Sequence, residues 1–215
     1  METNIAKMAE CIIISGIDGS GKTTIINALR ESLQKDGKHV GYIWLRFNHY
    51  LTKGMHAFAR LLGLSVKVHN DMGIVWQHQF YKNLFFCKLY VIVTYCDTWV
   101  SRFKYNKLAR NNDIVICDRW VPDIVADISL KTRNWEIIDG KWFVRFLKIL
   151  PQGAKIFVVV RNSEAILDCR LENRVDPDFE FRSQIYKKLC EKPIIKVVDN
   201  NDSVENSVNQ IKMGL

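Results

Sequence analysis

Apolar residues recur along the chain in two patterns, short β-branched runs and longer stretches with helical spacing. Five runs are short, rich in Ile and Val, and bounded by polar or glycine-containing sequence, which predicts strands. They cover residues 12–14, 40–45, 113–117, 155–160 and 194–198. Continuously apolar runs are typical of strands that are buried on both faces, as in a parallel sheet.

Stretches with apolar residues three and four positions apart separate these strands and predict helices. The helices are expected at residues 22–35, 52–62, 122–130, 141–150, 163–173, 179–190 and 203–213. A loop is expected from 63 to about 73. Residues 74–109 lack Gly and Pro, which predicts either one very long helix or two helices joined by a bend.

Strands that alternate with helices indicate an α/β domain whose parallel sheet is covered on both faces. The predicted fold is a three-layer αβα sandwich with a five-stranded parallel sheet. We expect residues 1–215 to form a single domain, because no repeat or linker composition interrupts the pattern.

A glycine-rich segment, GIDGSGKT from Gly16 to Thr23, lies between the first predicted strand and the first predicted helix. It fits G-x-x-x-x-G-K-[ST], a loop whose backbone N–H groups surround a phosphate at a helix N-terminus. Lys22 would reach the β- and γ-phosphates of ATP, and the Thr23 hydroxyl would ligate Mg²⁺. The predicted ATP-binding residues are Gly16, Ile17, Asp18, Gly19, Ser20, Gly21, Lys22, Thr23 and Thr24.

Polar side chains also follow the second and third predicted strands, where ligands bind in open α/β sheets. Arg46, Asn48 and His49 follow the second strand and are candidates for contacting a second substrate. Asp118 follows the third strand and can hold Mg²⁺ or its water. Arg119 beside it offers a planar fork for a phosphate.

Two carboxylates, Asp123 and Asp127, lie one turn apart on the helix predicted from Pro122 onwards. Like charges on one helical face are mildly unfavourable unless they have a function or a basic partner. Because Lys131 and Arg133 lie nearby, we interpret this face as a solvated surface.

The composition indicates the kind of ligand and the cellular compartment. A net charge of +8 suits a polyanionic ligand, but the basic residues form no long run, so no nucleic-acid surface is expected. Six cysteines without a C-x-x-C pair, and no secretory leader, indicate a reduced, cytoplasmic protein.

The aromatic-rich segment 74–109 is the most apolar part of the chain. Its most apolar stretch, 84–95, contains Lys88 and is shorter than the roughly 20 residues that a bilayer requires, so no membrane association is expected. The aromatic residues are too many for one narrow core stripe. Some of them are expected to face a base-binding pocket or a second copy of the chain in a homodimer.

Several segments together resemble thymidylate kinases, within the P-loop nucleoside-monophosphate kinases. The resemblance is closest in GIDGSGKTT and in VICDRW, which ends in Asp118, Arg119 and Trp120. The last strand and helix, IIKVVDNNDSVENSVNQI, also resemble that family. The basic stretch at about 162–180 resembles its lid and contains Glu164, Arg170 and Arg174.

The resemblance implies ATP-dependent phosphoryl transfer, assisted by Mg²⁺, to a small nucleotide acceptor, with dTMP converted to dTDP. Asp18 would meet the acceptor's 3′-hydroxyl, and Arg46 and Arg119 would hold its phosphate. Ser20 stands where some members have an arginine, which implies that the lid supplies the catalytic one. The implied catalytic residues are Lys22, Asp118, Arg119 and either or both of Arg170 and Arg174, with Thr23 and Asp118 at the metal.

The acceptor-binding segments depart from the family pattern. After the second strand, LRFNHYLTK keeps only Arg46 of the usual turn. The segment VTYCDTWVS, where a base-reading arginine is usual, has none before Arg102. After the DRW segment, Asp123, Ala126 and Asp127 stand where S-x-x-A-Y-Q is usual. Three alternatives therefore stay open: a kinase of another nucleotide, nucleoside or small hydroxyl compound, a regulatory P-loop NTPase, and a nucleotide-binding scaffold without catalysis.

Overall fold

The computed structural model describes residues 9–46, 50–70 and 73–215. The strands are β1 (Glu10–Ser15), β2 (Val40–Trp44), β3 (Ser65–Asn70), β4 (Gly73–His78), β5 (Ile114–Asp118), β6 (Lys155–Val160) and β7 (Ile195–Asp199). The helices are α1 (Lys22–Lys35), α2 (Leu51–Leu61), α3 (Leu84–Ala109), α4 (Val121–Thr132), α5 (Glu136–Asp139), α6 (Lys141–Leu147), α7 (Ser163–Cys169), α8 (Phe179–Cys190) and α9 (Val204–Met213).

The five predicted strands form one parallel sheet in the order β2-β5-β1-β6-β7. β1 lies in the centre, where Ile14 pairs with Asp118 of β5 on one side and with Phe157 of β6 on the other. The carboxyl ends of β1, β2 and β5 therefore meet at one edge. This arrangement brings the glycine-rich loop, Arg46 and Asp118 together, as the sequence predicts.

Helices cover both faces of the sheet, which confirms the α/β sandwich. Alternate side chains of β1 point to opposite faces because the side-chain period of a strand is two. Ile12 and Ile14 pack in a core with residues of α1 and α9, whereas Cys11 and Ile13 pack in a second core with residues of α3, α4 and α8. All four are almost completely buried.

The loop expected from 63 to about 73, and the helix expected from 74, are wrong. Strands β3 and β4 form an antiparallel two-stranded sheet in which Val66 pairs with Gln77. A 3₁₀ turn, Phe80–Lys82, follows the hairpin, and Phe80 is completely buried. The apolar residues of 74–78 belong to this hairpin.

The long helix α3 begins only at Leu84 and continues without a break to Ala109. Of the two predicted alternatives, the single helix is therefore correct, but it starts ten residues later than expected. Asn83 caps it, because its side chain accepts hydrogen bonds from the N–H groups of Phe85 and Phe86. By length and composition α3 could cross a membrane, a test that core helices of soluble proteins also pass. Its inner face buries Asp97, Thr98 and Ser101.

One helix boundary near the lid differs from the prediction, and one short helix elsewhere was not predicted. The helix expected over 163–173 ends at Cys169, because the backbone at Arg170 is extended (φ −140°), and a 3₁₀ turn follows over Leu171–Arg174. The short helix α5, which the sequence did not indicate, precedes α6. Arg170 and Arg174 therefore lie after α7, in the segment that continues the lid.

Candidate active site

The glycine-rich loop connects β1 to α1 and takes backbone conformations that favour glycine. Gly16 has φ +143°, and a Cβ there would lie 2.5 Å from the carbonyl oxygen of Val159. Gly21 has φ +89° and precedes α1 without a side-chain cap. The first N–H groups of α1 are therefore left to bind an anion at the positive end of the helix dipole.

Lys22 lies folded over this loop and is 5% exposed. Its Nζ donates to the carbonyl oxygen of Ile17 at 2.6 Å and to the Ser20 hydroxyl at 3.4 Å. Burial, assisted by the charge of Arg119, lowers the pKa of Lys22 to about 8. An incoming triphosphate would favour the charged form. Thr23 and Thr24 lie on the exposed side of the first turn of α1.

Two asparagines support the loop from segments far away in the chain. Asn173 donates from Nδ2 to the carbonyl oxygen of Asp18 at 3.0 Å, and Asn200 donates to that of Ser20 at 2.8 Å. The Ser207 hydroxyl donates to Oδ1 of Asn200 at 3.0 Å. The lid segment and the chain after β7 thus fix the loop. The sequence analysis missed both asparagines, because isolated polar residues carry no spacing signal.

Asp118 lies at the tip of β5 and is 6% exposed. The hydroxyl of Tyr42 donates to its Oδ2 at 2.9 Å. Burial raises the pKa of Asp118, while this hydrogen bond opposes the rise. Burial and the same hydrogen bond raise the pKa of Tyr42 to about 12, so Tyr42 remains a hydrogen-bond donor at neutral pH.

Asp118 and Thr23 fit Mg²⁺ that arrives together with a nucleotide. The described residues contain no group of three or more His, Cys, Asp or Glu side chains arranged to hold a metal. Mg²⁺ commonly binds through one or two protein oxygens together with substrate phosphates and water. A carboxylate at the strand tip and a hydroxyl at the loop agree with that mode of binding.

Arg119 lies beside Asp118 in a strained backbone conformation. Its φ is +67°, although it is not glycine, and such conformations are common at functional sites. Its Nη1 donates to Oδ1 of Asp123 at 2.5 Å, and its Nη2 contacts Oδ1 of Asp18. Burial lowers the pKa of Arg119, but Asp123, Tyr186 and Asp18 raise it well above the usual value.

The interpretation of Asp123 as part of a solvated surface is wrong. Asp123 is 5% exposed and accepts hydrogen bonds from the hydroxyls of Ser15 and Tyr186, the latter at 2.8 Å, as well as from Arg119. These three partners come from β1, from α8 and from the turn after β5. Asp123 thus connects the strand ends to α8 through one buried carboxylate.

Asp18 lies between two arginines. Its Oδ2 accepts from Nη1 of Arg46 at 2.7 Å, and its Oδ1 faces Arg119. Burial raises the pKa of Asp18, but the charges of Arg119 and Arg46 outweigh burial and lower the pKa to about 2. Asp18 is therefore ionised at neutral pH, and both of its oxygens contact arginine. Asn48 and His49, the other candidates after β2, lie outside the described residues.

The two lid arginines occupy different environments. The Cγ of Arg170 lies 3.2 Å from the position that a Cβ on Gly19 would occupy, so its stem packs on the glycine-rich loop. Arg174 pairs with Asp168 at 2.5 Å, and both side chains are more than half exposed. A further arginine, Arg182 of α8, also lines the site. The sequence analysis missed Arg182 because α8 shows only an ordinary amphipathic pattern.

Two connected clefts lie above the sheet edge. The phosphate-side cleft is lined by Gly16, Ile17, Asp18, Arg46, Arg119, Asp123, Ala126, Asp127, Arg182 and Tyr186. The deep cleft lies against α3 and is lined by Leu45, Arg46, Tyr90, Thr94, Asp97, Thr98, Ser101, Asp123, Ile124 and Asp127. Arg46, Asp123 and Asp127 border both clefts.

One wall of the deep cleft depends on Asp97, which the sequence analysis also missed. Asp97 is 3% exposed and accepts hydrogen bonds from the backbone N–H groups of Tyr50, Leu51 and Thr52 at 3.0–3.1 Å. The Thr52 hydroxyl donates to it at 2.8 Å. A carboxylate of α3 thus caps the N-terminus of α2 from outside that helix. The cap fixes the start of α2 from Tyr50 onwards.

Comparison with known proteins shows the fold. The chain is similar to thymidylate kinase from Candida albicans, with a TM-score of 0.60, 14% identity and coverage of 96% of this chain and 90% of that one. It is also similar to thymidylate kinase from Ehrlichia chaffeensis, with a TM-score of 0.54, 17% identity and coverage of 96% and 98%. No protein-family model matches the sequence, and no curated protein matches it.

The sequence resemblance to thymidylate kinases is thus confirmed at the level of the fold. The identities of 14% and 17% leave the roles of individual residues to be argued from the site itself.

Proposed function

We propose that this protein is a P-loop nucleotide kinase that transfers a phosphoryl group from ATP to the phosphate of a nucleoside monophosphate. One observation carries the proposal: the triphosphate-binding loop with Lys22 borders the same cleft as Arg46 and Arg119. Two polyanions bound there would meet between three cations. Catalysis of this reaction consists largely of positioning and charge neutralisation, which this arrangement supplies.

On the donor side, the N–H groups of the loop and of the first turn of α1 would bind the ATP phosphates. Lys22 would neutralise charge on the β- and γ-phosphates. Thr23 and Asp118 would hold Mg²⁺, which supplies further neutralisation of the transferred group. Tyr42 would keep the Asp118 carboxylate oriented through its 2.9 Å hydrogen bond.

On the acceptor side, Arg119 and Arg46 would bind the acceptor phosphate. Arg119 is the more rigid of the two, because Asp123 and Asp18 hold its two terminal nitrogens. An ionised phosphate is already a nucleophile, so the mechanism requires no general base. The structural likeness makes thymidylate the first acceptor to test.

Of the two lid arginines, we assign the catalytic role to Arg170. Its stem already packs on the loop at Gly19, so its guanidinium needs a smaller movement to reach the transferred group. Arg174 pairs with Asp168 at the surface of the lid. An arginine that contacts only the transition state can contribute about 10³-fold in rate.

The proposed compartment and assembly rest on separate observations. All six cysteines are free, which supports a reducing cytoplasm. Exposed apolar residues recur at intervals of seven on the outer face of α3, namely Phe85, Ile92 and Trp99, with Phe103 one turn further. A stripe with this spacing is self-complementary between two helices. We propose that two copies of the chain pair through it.

The test is an acceptor panel with ATP·Mg²⁺ that contains nucleoside monophosphates, including dTMP, and the corresponding nucleosides. Chromatography should detect ADP together with a nucleoside diphosphate. Lys22→Ala should lower the rate by about 10²-fold or more, because it removes a cation from the transferred group. Lys212→Ala, which removes a surface pair with Asp36, is the matched control and should retain the rate. Phosphorylation of nucleosides alone would contradict the proposal.

A further inference from the structure

Three residues, Arg46, Asp123 and Asp127, border both clefts and mark their junction. In a nucleoside monophosphate the sugar lies between the phosphate and the base. A phosphate at Arg119 would place the base in the deep cleft against α3. The sugar would then lie at the junction, beside these three residues.

Asp127 is the carboxylate at this junction that remains available to a ligand. Asp123 is occupied by Ser15, Arg119 and Tyr186. Asp127 is half-buried, and its carboxylate makes no hydrogen bond within the described part of the chain. The side chain of Asp18 in the phosphate-side cleft is also partly exposed. Both of its carboxylate oxygens contact arginines, namely Arg46 and Arg119.

The electrostatic surroundings of Asp127 are consistent with a ligand-facing carboxylate. Burial lowers the pKa of Arg46, but Asp127 and Asp18 raise it above the usual value. Burial likewise lowers the pKa of Lys131, and Tyr90 and Asp127 raise it. Asp127 thus lies near two cations but is hydrogen-bonded to neither. Its oxygens can accept donors from a bound molecule.

A second polar group also supports a ligand that hydrogen-bonds in these clefts. The Thr94 side chain lines the deep cleft and is 5% exposed, and its hydroxyl makes no hydrogen bond within the described residues. It lies beside the Tyr90 hydroxyl, where burial raises the pKa of Tyr90, whereas Lys131 and Thr94 oppose the rise. A buried hydroxyl without a partner is costly unless a ligand or water supplies one. The clefts therefore suit a ligand that has hydrogen-bonding groups beyond its phosphate.

We propose that Asp127 accepts hydrogen bonds from the sugar hydroxyls of the acceptor, so that ribonucleoside monophosphates are preferred to their 2′-deoxy counterparts. This inference rests on the proposed function. A carboxylate can accept from two neighbouring hydroxyls at once, and acidic residues bind the ribose of nucleotides in this way in other folds. Removal of one hydroxyl would leave the half-buried Asp127 incompletely paired.

The inference departs from the acceptor that the fold alone suggests, because thymidylate carries a deoxyribose. It agrees with the sequence at the same position: Asp127 stands where thymidylate kinases usually have the S-x-x-A-Y-Q segment. The sequence analysis treated that segment as a solvated face.

The test measures kcat/KM for base-matched pairs of acceptors: UMP and dUMP, CMP and dCMP, AMP and dAMP. For the base that is phosphorylated best, we expect the ribonucleotide to be favoured by about 10-fold to 100-fold, the range for a hydrogen bond to a charged group. Asp127→Ala should bring the ratio close to one. Asp127→Asn retains the shape of the side chain, and the ratio should fall with this variant as well.

Asp36→Asn is the control for a remote carboxylate, since Asp36 contacts Lys212 on the opposite side of the sheet, and it should keep the ratio of the unmodified protein. The inference is overturned if the deoxyribonucleotides are used equally well or better, or if the preference survives in Asp127→Ala. In both cases transfer to monophosphates still occurs, and the proposed function stands. Failure to phosphorylate any monophosphate would overturn the proposed function as well.

Discussion

Replacement of Asp123 by alanine should destabilise the protein strongly. Among the described residues, the change leaves Arg119, which is 7% exposed, with Asp18 as its one carboxylate partner. It also removes the acceptor for the hydroxyls of Ser15 and Tyr186. Breaking a buried ion pair by removing one partner costs about 3–5 kcal/mol. For a chain of this length, the melting temperature should fall by roughly 6–20 °C, at about 2–4 °C per kcal/mol.

Urea unfolding followed by circular dichroism measures the free energy of unfolding of Asp123→Ala, Asp123→Asn and a control. The control is Asp139→Ala, because Asp139 also pairs with two cations, Lys188 at 2.5 Å and Lys192 at 2.7 Å, but its side chain is 44% exposed. Exposed pairs contribute about 0–1 kcal/mol. Asp123→Asn should fall between the two, because its amide oxygen can still accept one hydrogen bond.

The comparison separates a buried network from a charged surface. A loss for Asp123→Ala within about 1 kcal/mol of the loss for Asp139→Ala would contradict the buried network, since that is the range of surface pairs. Such a small loss would instead support the solvated helix face that the spacing of Asp123 and Asp127 indicates in the sequence.

Three further predictions concern the donor site, the lid and the assembly. ATP affinity should fall as pH rises above the Lys22 pKa of about 8. Calorimetry in two buffers should detect proton uptake on ATP binding, and Lys22→Ala should abolish this uptake. ATP binding that does not depend on pH would refute the prediction. Arg170→Ala should lower kcat by about 10³-fold with little change in ATP affinity, whereas Arg174→Ala should change kcat only a few-fold. Equal losses of kcat in the two variants would refute the assignment of the catalytic role to Arg170. Trp99→Lys with Phe103→Lys should convert a dimer to a monomer in light scattering, and a monomeric unmodified protein would exclude this interface.

The sheet and its covering helices were predictable because the pattern that defines them is local. The strand runs are β-branched and continuously apolar, and the helix of Lys22–Lys35 carries Ile25, Ile26, Leu29 and Leu33 on one buried face. Local periodicity is a strong signal in such segments. The glycine-rich loop was predictable for the same reason, since its function requires glycines at fixed spacing.

The hairpin was not predictable from the same patterns. Short apolar runs such as GIVWQH satisfy strand and helix periodicity equally well. No Gly or Pro separates this run from the long helix that ends at Ala109, so the sequence shows no boundary between them. The cross-strand pairing of β3 with β4 decides the conformation, and pairing is not visible in either segment alone.

The buried connections of the site were also hidden from the sequence. Asp123 bonds to Ser15, 108 positions away, and to Tyr186, 63 positions away. Asp97 contacts residues 45 to 47 positions away. Long-range contacts of this kind arise from the topology. A carboxylate on a polar-looking helix face therefore gives no sign in the sequence that it is buried.

The most direct test of the central claim is the transfer of the ATP γ-phosphate itself. With γ-³²P-labelled ATP, Mg²⁺ and a mixture of nucleoside monophosphates, the account predicts a labelled nucleoside diphosphate that disappears with Lys22→Ala. The label in inorganic phosphate alone, or its retention in ATP with every acceptor, would contradict the claim that this fold is an active nucleotide kinase.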